Sequence, residues 1–212
     1  MKQDEVLEVL QKLVNSYGAE NDGFHHNHPW QHLVAIMLSA QSTDKQVDAV
    51  LPALYKRFDT VEDVAKADLE EIESYIRSIG LYKNKAKNMK KCCTQISQEY
   101  GGVVPSDRQE LMKLGGVGRK TANLYMANEL GIPEITVDTH VHRVSNRIGW
   151  VDSKQVLETE KQLQNVLPKE YWIAINILLI RHGRAVCKSR KPACEKCFLR
   201  KYCKYNKNKS NS

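Results

Sequence analysis

Apolar residues recur at spacings of three and four along most of the chain, and this period excludes most fold classes. The pattern is clear in residues 6–17, 47–55 and 72–79. A period of two, which a strand with one buried face would show, is not sustained. The most β-favouring run, Ile135-Thr136-Val137, is too short to found a sheet. The sequence therefore predicts an all-α fold.

Local signals mark where several helices begin. Pro29 stands where a first helical turn would start, because that position leaves the backbone N–H unused and proline has none. Asp68 with Glu71, and Ser106 with Gln109, have the spacing of a capping box, in which two side chains satisfy the first N–H groups of a helix. These signals predict helix starts just after residues 28, 68 and 106.

The net charge of +7 is concentrated near the C-terminus. Residues 181–212 contain eleven Lys or Arg and one acid, Glu195, whereas residues 1–180 contain 21 basic and 24 acidic residues. A local basic surface indicates a polyanionic partner such as a nucleic acid. For residues 205–212 alone, a solubilising tail is the simpler interpretation.

Nothing in the sequence indicates a membrane protein. No apolar run approaches the roughly 20 residues needed to span a bilayer, and the longest, residues 172–180, contains Asn176. The N-terminus is polar and acidic, which argues against a signal peptide. We therefore expect a cytoplasmic protein.

Residues 114–118 read Leu-Gly-Gly-Val-Gly and join two stretches, 106–113 and 119–130, that both have helical character. So short a glycine-rich connection predicts a helix-hairpin-helix motif. Gly116 and Gly118 would leave backbone N–H groups uncovered at the positive end of the second helix, where a phosphate can bind. An ordinary helix–helix turn is the alternative interpretation.

Four cysteines near the C-terminus have the spacing C-x6-C-x2-C-x5-C. In a chain without a secretory signal, four thiols this close together indicate a metal site more than disulfides. The spacing leaves both zinc and an iron–sulfur cluster open. The remaining two, Cys92 and Cys93, lie in a helical stretch and are interpreted as packing residues. The candidate ligands are Cys187, Cys194, Cys197 and Cys203.

Beyond the hairpin and the cysteines, several motifs follow one another in order. They are Leu-Ser-Ala-Gln-Ser-Thr-Asp at 38–44, Gly-Leu-Tyr-Lys-Asn-Lys-Ala at 80–86, Val-Pro-Ser-Asp at 104–107, Arg-Lys-Thr-Ala at 119–122 and Val-Asp-Thr-His-Val-His-Arg at 137–143. Together they resemble the helix-hairpin-helix–Gly/Pro-Asp DNA glycosylase superfamily, and within it the endonuclease III family. The resemblance extends from about Pro29 to Cys203.

The resemblance implies a bifunctional DNA glycosylase and AP lyase of base excision repair that removes oxidised pyrimidines, with Lys120 and Asp138 as the catalytic residues. A lysine amine can attack the sugar C1′ and form a Schiff base, after which the 3′ phosphate is eliminated. Lys120 must be neutral to attack. Its place in the first turn of a helix favours the neutral amine, whereas the anionic Asp138 favours the charged one, and the sequence leaves the balance of the two open. Asp138 can accept the proton and stabilise the sugar cation. The plainer roles are a phosphate contact for Lys120 and a helix N-cap for Asp138.

The implied partner is double-stranded DNA with damaged bases or abasic sites, bound by a monomer at the bacterial nucleoid. The target nucleotide must be flipped out of the duplex, and Gln41 and Leu81 match the positions that fill the space it leaves. A core leucine is the alternative for Leu81, and helix capping is the alternative for Ser39 and Asp44. Residues that match DNA contacts are Gln41, Leu81, Gly116, Gly118, Arg119 and Lys191, and those that match positions near the pocket are Ser39, Asp44 and His140.

The resemblance also implies the cofactor and the domains. The four cysteines would hold a 4Fe–4S cluster that fixes the surrounding basic loop against the DNA backbone. Two helical domains are expected: residues 22–132 form a helical barrel with the hairpin, and residues 1–21 with 133–212 form the cluster domain. The active-site cleft would lie between them.

One position departs from the family pattern, because the hairpin usually has proline where this chain has Gly115. Loss of a fixed φ is expected to loosen the turn by roughly 0.4–1 kcal/mol through the entropy of the unfolded chain. The amide donors remain, so function is expected to survive.

Three other functions are compatible with parts of this pattern. An adenine-mismatch glycosylase of the same superfamily would usually lack the hairpin lysine and carry an extra C-terminal domain, so Lys120 and the short tail argue against it. A non-catalytic DNA-binding protein would not need Lys120 together with Asp138. A zinc protein of this fold would lack the violet absorption of an iron–sulfur cluster.

Overall fold

The computed structural model describes residues 1–20 and 23–210. Within them the chain forms twelve α-helices, two 3₁₀ turns and no β-strand, so the all-α prediction is confirmed. The 3₁₀ turns are Lys169–Tyr171 and Cys194–Lys196. The helices are α1 (Gln3–Tyr17), α2 (Pro29–Ser39), α3 (Asp44–Arg57), α4 (Val61–Lys66), α5 (Leu69–Ile76), α6 (Tyr82–Glu99), α7 (Arg108–Leu111), α8 (Arg119–Leu130), α9 (Thr139–Ile148), α10 (Val156–Val166), α11 (Ala174–Ala185) and α12 (Lys204–Ser210).

The chain divides into two compact units. The hairpin unit runs from Gly23 to Leu130, and the cysteine unit combines the N-terminal segment with the chain from Gly131 onward. The first boundary expected from the sequence, at residues 21 and 22, lies outside the described residues. The second was expected at residues 132 and 133, two positions after Leu130.

The hairpin unit is built around α2 and α6. Helix α6 packs against α4 and α5, and α2 packs against α8 and α3. Every residue of α2 from Trp30 to Leu38 is buried, because this helix is surrounded by its neighbours rather than lying on the surface. Cys92 and Cys93 of α6 are fully buried, as expected for packing residues. Other buried side chains of this core are Leu54, Phe58, Ile72, Ile76, Met89 and Ile96.

The cysteine unit has its own apolar core. Helix α11 packs against α9 and α1, and α12 packs against α9. Leu199 and Tyr202, from the cysteine-rich segment, are buried in this core, so that segment is anchored by packing as well as by any metal. The helices contribute Leu10, Leu13, Val141, Val144, Leu178 and Leu179.

The helix starts after residues 28 and 68 are confirmed, but two capping assignments are wrong. Asp68 occupies the N-cap position of α5 without a side-chain cap bond, and Glu71 instead forms an ion pair with Arg57 at 2.6 Å. Helix α7 is capped by Asp107 rather than Ser106, since the Asp107 carboxylate accepts the N–H groups of residues 109 and 110. An aspartate next to a serine competes for the same cap. Among the described helices, none has the length and apolar character that a membrane span requires.

Candidate functional site

Lys120 lies at the start of α8, immediately after the glycine-rich turn. The helix begins at Arg119, and the Ala122 N–H donates to the Gly118 carbonyl oxygen at 2.9 Å. The Lys120 side chain is exposed. Its amine is therefore accessible, and it lies in the turn where the helix dipole is positive.

The turn before α8 requires glycine at one position for two reasons. Gly116 has φ +76°, and a Cβ at this residue would lie 2.7 Å from the Asn88 Cβ of α6. Both the left-handed backbone and the close contact exclude a side chain. A Cβ at Gly118 would meet no atom within 4 Å, so this glycine leaves open space beside the first turn of α8. Both residues are exposed, which suits backbone contact with a phosphate.

Gln95 of α6 holds the hairpin from one side. Its Oε1 accepts the Gly115 N–H at 2.8 Å, and its Nε2 donates to the Lys113 carbonyl oxygen at 3.3 Å. A Cβ at Gly115 would lie 2.7 Å from the Lys91 Cγ. Glycine at 115 therefore does more than loosen the turn, because it leaves an N–H for Gln95 and room for Lys91.

Restoring the family's proline, Gly115→Pro, is expected to destabilise this chain by about 1–3 kcal/mol, because the Gln95 carbonyl loses its buried donor. Gly115→Ala keeps the N–H and tests only the contact with Lys91. The free energy of unfolding from urea denaturation separates the two. A proline variant more stable than the alanine variant by about 1 kcal/mol, the gain that a fixed φ alone gives, would show that Gln95 contributes nothing to the turn.

Three non-glycine residues of the described chain have positive φ, and all three are predicted DNA contacts. They are Gln41 (φ 56°), Leu81 (φ 61°) and Lys191 (φ 49°). Left-handed backbone is costly for such residues and is concentrated at functional sites. Leu81 is also 58% exposed, so the alternative of a core leucine is wrong.

Lys85 joins the loops that carry Gln41 and Leu81. Its side chain is buried, and its Nζ donates to the Leu38 carbonyl oxygen at 2.9 Å and to Ser42 Oγ at 2.7 Å. Burial lowers the pKa of the Lys85 amine. The Gln41 carbonyl oxygen lies 3.6 Å from where a Cβ of Gly80 would stand, so the two loops are in contact.

Replacing Lys85 with methionine is expected to cost about 1–3 kcal/mol, since the oxygen atoms at Leu38 and Ser42 lose their buried donor. Lys83→Met, on an exposed lysine two residues away, is the matched control and should change the free energy of unfolding by less than about 0.5 kcal/mol. Both values come from urea denaturation. Equal costs for the two variants would contradict the bridging role.

Ser39 and Asp44 lie on either side of the Gln41 loop. The Ser39 hydroxyl donates to the Ile36 carbonyl oxygen at 2.8 Å, at the end of α2. Thr43, not Asp44, caps α3 by accepting the Gln46 N–H. Asp44 is the exposed first residue of α3. Ser39 therefore has a helix-end role, whereas the capping alternative for Asp44 is wrong.

Asp138 caps α9 in the cysteine unit. Its Oδ1 accepts the N–H groups of His140 and Val141, each at 2.8 Å, while Oδ2 takes no part in these two bonds. The carboxylate is partly exposed. Asp138 is thus the N-cap of α9. Because only one of its carboxylate oxygens accepts the capping N–H groups, the residue could cap the helix and also take part in a reaction.

Arg143 connects the start of α9 to the cysteine-rich segment. Its Nη2 lies 3.0 Å from the His140 Nδ1 and donates to the Cys187 carbonyl oxygen at 3.1 Å. A Cβ at Gly183 would lie 2.5 Å from the His140 Nδ1, so His140 is packed closely against α11. His140 therefore lies beside Asp138 on a rigid helix rather than on a loop.

The four C-terminal cysteines line one small cavity of about 20 Å³, and none forms a disulfide. Burial raises the pKa of Cys197 and Cys203; backbone hydrogen bonds oppose this rise, and the neighbouring cysteines add a smaller contribution to it. Four thiolates cannot share this space without a positive centre. The donor set and its enclosure therefore fit a metal cluster held by four cysteines.

Arg147 of α9 holds the basic segment between the first two cysteines. Its Nη1 lies 3.5 Å from the Cys187 Sγ and 2.7 Å from the Lys188 carbonyl oxygen, and its Nη2 donates to the Ser189 carbonyl oxygen at 2.9 Å. Lys191 follows on the same segment and is exposed. Helix α9 therefore holds the backbone of the segment that leads to Lys191.

The predicted site residues form local groups within each unit. In the hairpin unit, α6 contacts the glycine-rich turn before Lys120 through Gln95, and it contacts the Gln41 loop through Lys85. The cysteine unit brings Asp138 and His140 onto the helix that holds the cysteine segment. The supporting residues Lys85, Gln95 and Arg147 were not predicted from the sequence. Their signal was a polar side chain on the inner face of an otherwise amphipathic helix, which only the tertiary contacts distinguish from a surface residue.

Comparison with known proteins agrees with this geometry. Residues 34–169 match the family described as HhH-GPD superfamily base excision DNA repair protein, and residues 187–203 match the iron-sulfur binding domain of endonuclease III. The chain is 48% identical to endonuclease III of Bacillus subtilis, over 84% of this chain and 82% of that protein. It is 38% identical to endonuclease III of Escherichia coli, over 94% of both chains.

A solved structure of an endonuclease III–DNA complex also has this fold. The chain resembles a trapped endonuclease III–DNA covalent intermediate with a TM-score of 0.91 and 41% identity, over 99% of each chain. The all-helical fold, the hairpin and the cysteine segment are therefore shared along essentially the whole length. This chain belongs to the HhH-GPD superfamily of base excision DNA repair proteins, and within it to the endonuclease III family.

Proposed function

We propose that this chain removes oxidised pyrimidines from double-stranded DNA through a Schiff base on Lys120. Its family membership makes it a bifunctional DNA glycosylase and AP lyase that binds DNA. The observation that carries the proposal is the exposed Lys120 amine in the first turn of α8, in a chain whose relative was trapped in a covalent intermediate with DNA.

The chemistry follows from one amine. The neutral Lys120 nitrogen forms a bond to the sugar C1′ while the N-glycosidic bond breaks and the base leaves with the bonding electrons. The nitrogen then loses a proton, and its lone pair forms the C1′=N bond as the C1′–O4′ bond breaks and O4′ takes up a proton, which opens the sugar ring. The resulting iminium withdraws electrons from C2′, which loses a proton as the C3′–O bond breaks and the 3′ phosphate departs. Hydrolysis of the imine then releases the lysine.

Asp138 is proposed to accept the proton that Lys120 releases and to stabilise the positive charge that develops on the sugar. The oxygen that caps α9 fixes the carboxylate, and the other oxygen is available for the reaction. His140, Ser39 and Asp44 are proposed to line the pocket for the flipped base.

Duplex binding is proposed to use three surfaces. The amides of Gly116 and Gly118, with Arg119, bind phosphate at the hairpin, while Gln41 and Leu81 fill the space left by the flipped nucleotide. The cofactor is a 4Fe–4S cluster, and we assign its ligands to the four C-terminal cysteines. When bound, the cluster supplies a fixed positive centre for the four thiolates, and Lys191 on the adjoining segment contacts the backbone.

The same reasoning leads us to propose a monomer that works in the cytoplasm at the bacterial nucleoid, where its substrate is. The adenine-mismatch alternative leaves the exposed Lys120 amine unused. The non-catalytic alternative would use that amine as a phosphate contact, but it does not account for a relative that was trapped covalently on DNA.

The proposal is tested by borohydride trapping on a panel of duplexes that carry an oxidised pyrimidine, a ring-saturated pyrimidine, an abasic site, an adenine–guanine mismatch or no lesion. We expect covalent complexes with the two pyrimidine lesions and the abasic site, and none with the undamaged duplex. Trapping on the abasic site alone would refute base removal. Base loss from the mismatch, without trapping on pyrimidine lesions, would favour the adenine-mismatch alternative.

Cys197→Ala is expected to remove the cluster and release the basic segment. The variant should lose its iron and its violet absorption. The slope of log DNA affinity against log salt concentration should also become shallower, by more than the change of about one expected for Lys191→Ala alone. Cys92→Ala, on a buried cysteine of the hairpin unit, is the matched control and should keep the iron and the slope. Full iron content in Cys197→Ala would contradict the assignment.

A further inference from the structure

A second group of side chains that could bind a metal lies in the hairpin unit, distant in sequence from the four C-terminal cysteines. His26 is in the segment before α2, His32 is in α2, and Glu129 is near the end of α8. The His26 Nε2 lies 2.9 Å from the Glu129 Oε2, and the His32 Nδ1 lies 2.6 Å from the same oxygen. The three atoms that could bind a metal all lie within 4.8 Å of one another. These three residues are called the His–His–Glu cluster below.

The cluster is enclosed rather than spread over the surface. His32 is buried, and the side chains of His26 and Glu129 are 26% and 15% exposed. The two imidazole rings stack with centroids 4.4 Å apart and planes 18° apart. Each ring nevertheless places one nitrogen within 2.9 Å of the same Glu129 oxygen, so the three groups converge on one point.

Both ring nitrogens of His26 face oxygen atoms that accept hydrogen bonds. Its Nδ1 lies 2.6 Å from the Phe24 carbonyl oxygen, which only accepts, so Nδ1 carries the proton. In a neutral imidazole the Nε2 then carries no proton and presents a lone pair. That lone pair faces a carboxylate oxygen 2.9 Å away. Two acceptors this close require something positive between them, which is either a second proton on His26 or a cation.

A cation is favoured by how His26 is oriented. A histidine that binds a metal commonly donates its other N–H to a backbone carbonyl, which fixes the ring and its tautomer. His26 has that arrangement with Phe24. Two imidazole nitrogens and one carboxylate are a donor set that zinc accepts, with water in the fourth position.

The remaining polar atom of His32 does not compete for this site. Its Nε2 is buried and has no hydrogen-bond partner in the described part of the chain. The polar anchoring of this ring is therefore through Nδ1, on the side of Glu129. In this orientation its Nδ1 faces the cluster, 2.6 Å from the Glu129 Oε2.

The distances allow a metal with a small adjustment. Ligand atoms around a tetrahedral zinc ion lie about 3.4 Å apart when the bonds are about 2.1 Å long. The carboxylate would withdraw from each ring by less than about 1 Å, which a glutamate near a helix end can do by rotating its side chain. The two imidazole nitrogens, which lie within 4.8 Å of each other, would also have to approach to about 3.4 Å, which rotation of the His26 side chain allows. His26 also lines a surface cavity with Asp48 and Asp59, which offers a hydrated cation a route from solvent.

We propose that the His–His–Glu cluster is a zinc site, separate from the cysteine cluster. Zinc would tie the segment before α2 to the end of α8, the helix whose first turn carries Lys120. Its role is structural: it fixes the entry into the hairpin unit at the point where Gly23 begins it.

The test uses the full chain with its iron–sulfur cluster in place, dialysed against a mild chelator, incubated with zinc sulfate and desalted. Zinc and iron are measured together by mass spectrometry. We expect about one zinc ion per chain in the wild type, almost none in His26→Ala and Glu129→Gln, and equal iron in all. His25→Ala, on the exposed neighbouring histidine, should keep its zinc.

Thermal unfolding gives a second readout. Zinc should raise the melting temperature of the wild type and of His25→Ala, because an ion that binds only the folded state stabilises it. It should not raise that of His26→Ala. Equal zinc in the wild type and His26→Ala would overturn the site, as would a wild type that retains none, which would leave a protonated His26 paired with Glu129. Zinc that appears only as iron is lost would place the ion at the cysteines and would also refute the proposal.

Discussion

Lys120→Ala is expected to abolish borohydride trapping and to slow strand cleavage at an abasic site by about a thousandfold or more. The reason is that the variant has no amine at the position where the covalent bond forms. Binding to duplex DNA should fall far less, because the hairpin amides, the Gln41 and Leu81 loops and the Lys191 segment remain. The measurement is single-turnover cleavage together with affinity for an uncleavable abasic analogue.

Folding is not expected to confound this result. Lys120 is exposed in the first turn of α8, and alanine is a good helix former, so the free energy of unfolding should change by less than about 0.5 kcal/mol. Lys161→Ala, on an exposed lysine of α10, is the matched control and should trap like the wild type. Undiminished trapping by Lys120→Ala would show that another amine attacks the sugar.

Much of the hairpin unit was predictable because its signals are local. The three-and-four spacing of apolar residues predicts the helices, and the glycines at 116 and 118 predict the turn before α8. The position of Lys120 at a helix start follows from those two facts alone. The cysteine spacing is equally local, since four thiols within 17 residues can reach one cavity whatever the rest of the chain does.

What could not be predicted depends on contacts between distant residues. Gln95 reaches Gly115 across 20 positions and Lys85 reaches Leu38 across 47, while Glu129 lies 97 residues from His32. Helical period places these polar residues on a face but does not say what that face meets. Their partners are fixed by packing, which the sequence does not encode locally.

Backbone strain was also invisible in the sequence. A glycine in the sequence often indicates a left-handed backbone position. Three residues, Gln41, Leu81 and Lys191, adopt that conformation without being glycine. The resemblance selected these residues for another reason, as DNA contacts. The agreement between the two sets suggests that each backbone is held in a costly conformation to present its side chain outward, as the exposure of Leu81 illustrates.

Asp138→Asn is expected to slow base removal by about a hundredfold to ten-thousandfold, the usual range for loss of a positioned proton acceptor. Asparagine caps a helix about as well as aspartate. The variant should therefore keep the bonds to the N–H groups of His140 and Val141 and lose only the negative charge, which at a helix N-terminus stabilises by about 0.3–1 kcal/mol. Single-turnover release of the damaged base measures the rate, and urea denaturation measures the free energy of unfolding.

Asp138→Ala separates the two duties of this residue. Alanine removes both the cap and the carboxylate, so it should lower the free energy of unfolding by about 0.5–2 kcal/mol while slowing base removal no more than asparagine does. If the aspartate acted only by shaping α9, asparagine would retain the wild-type rate and alanine alone would be slow. Equal rate losses in two variants of unequal stability would instead place the effect in the charge of the second carboxylate oxygen, the one that takes no part in capping.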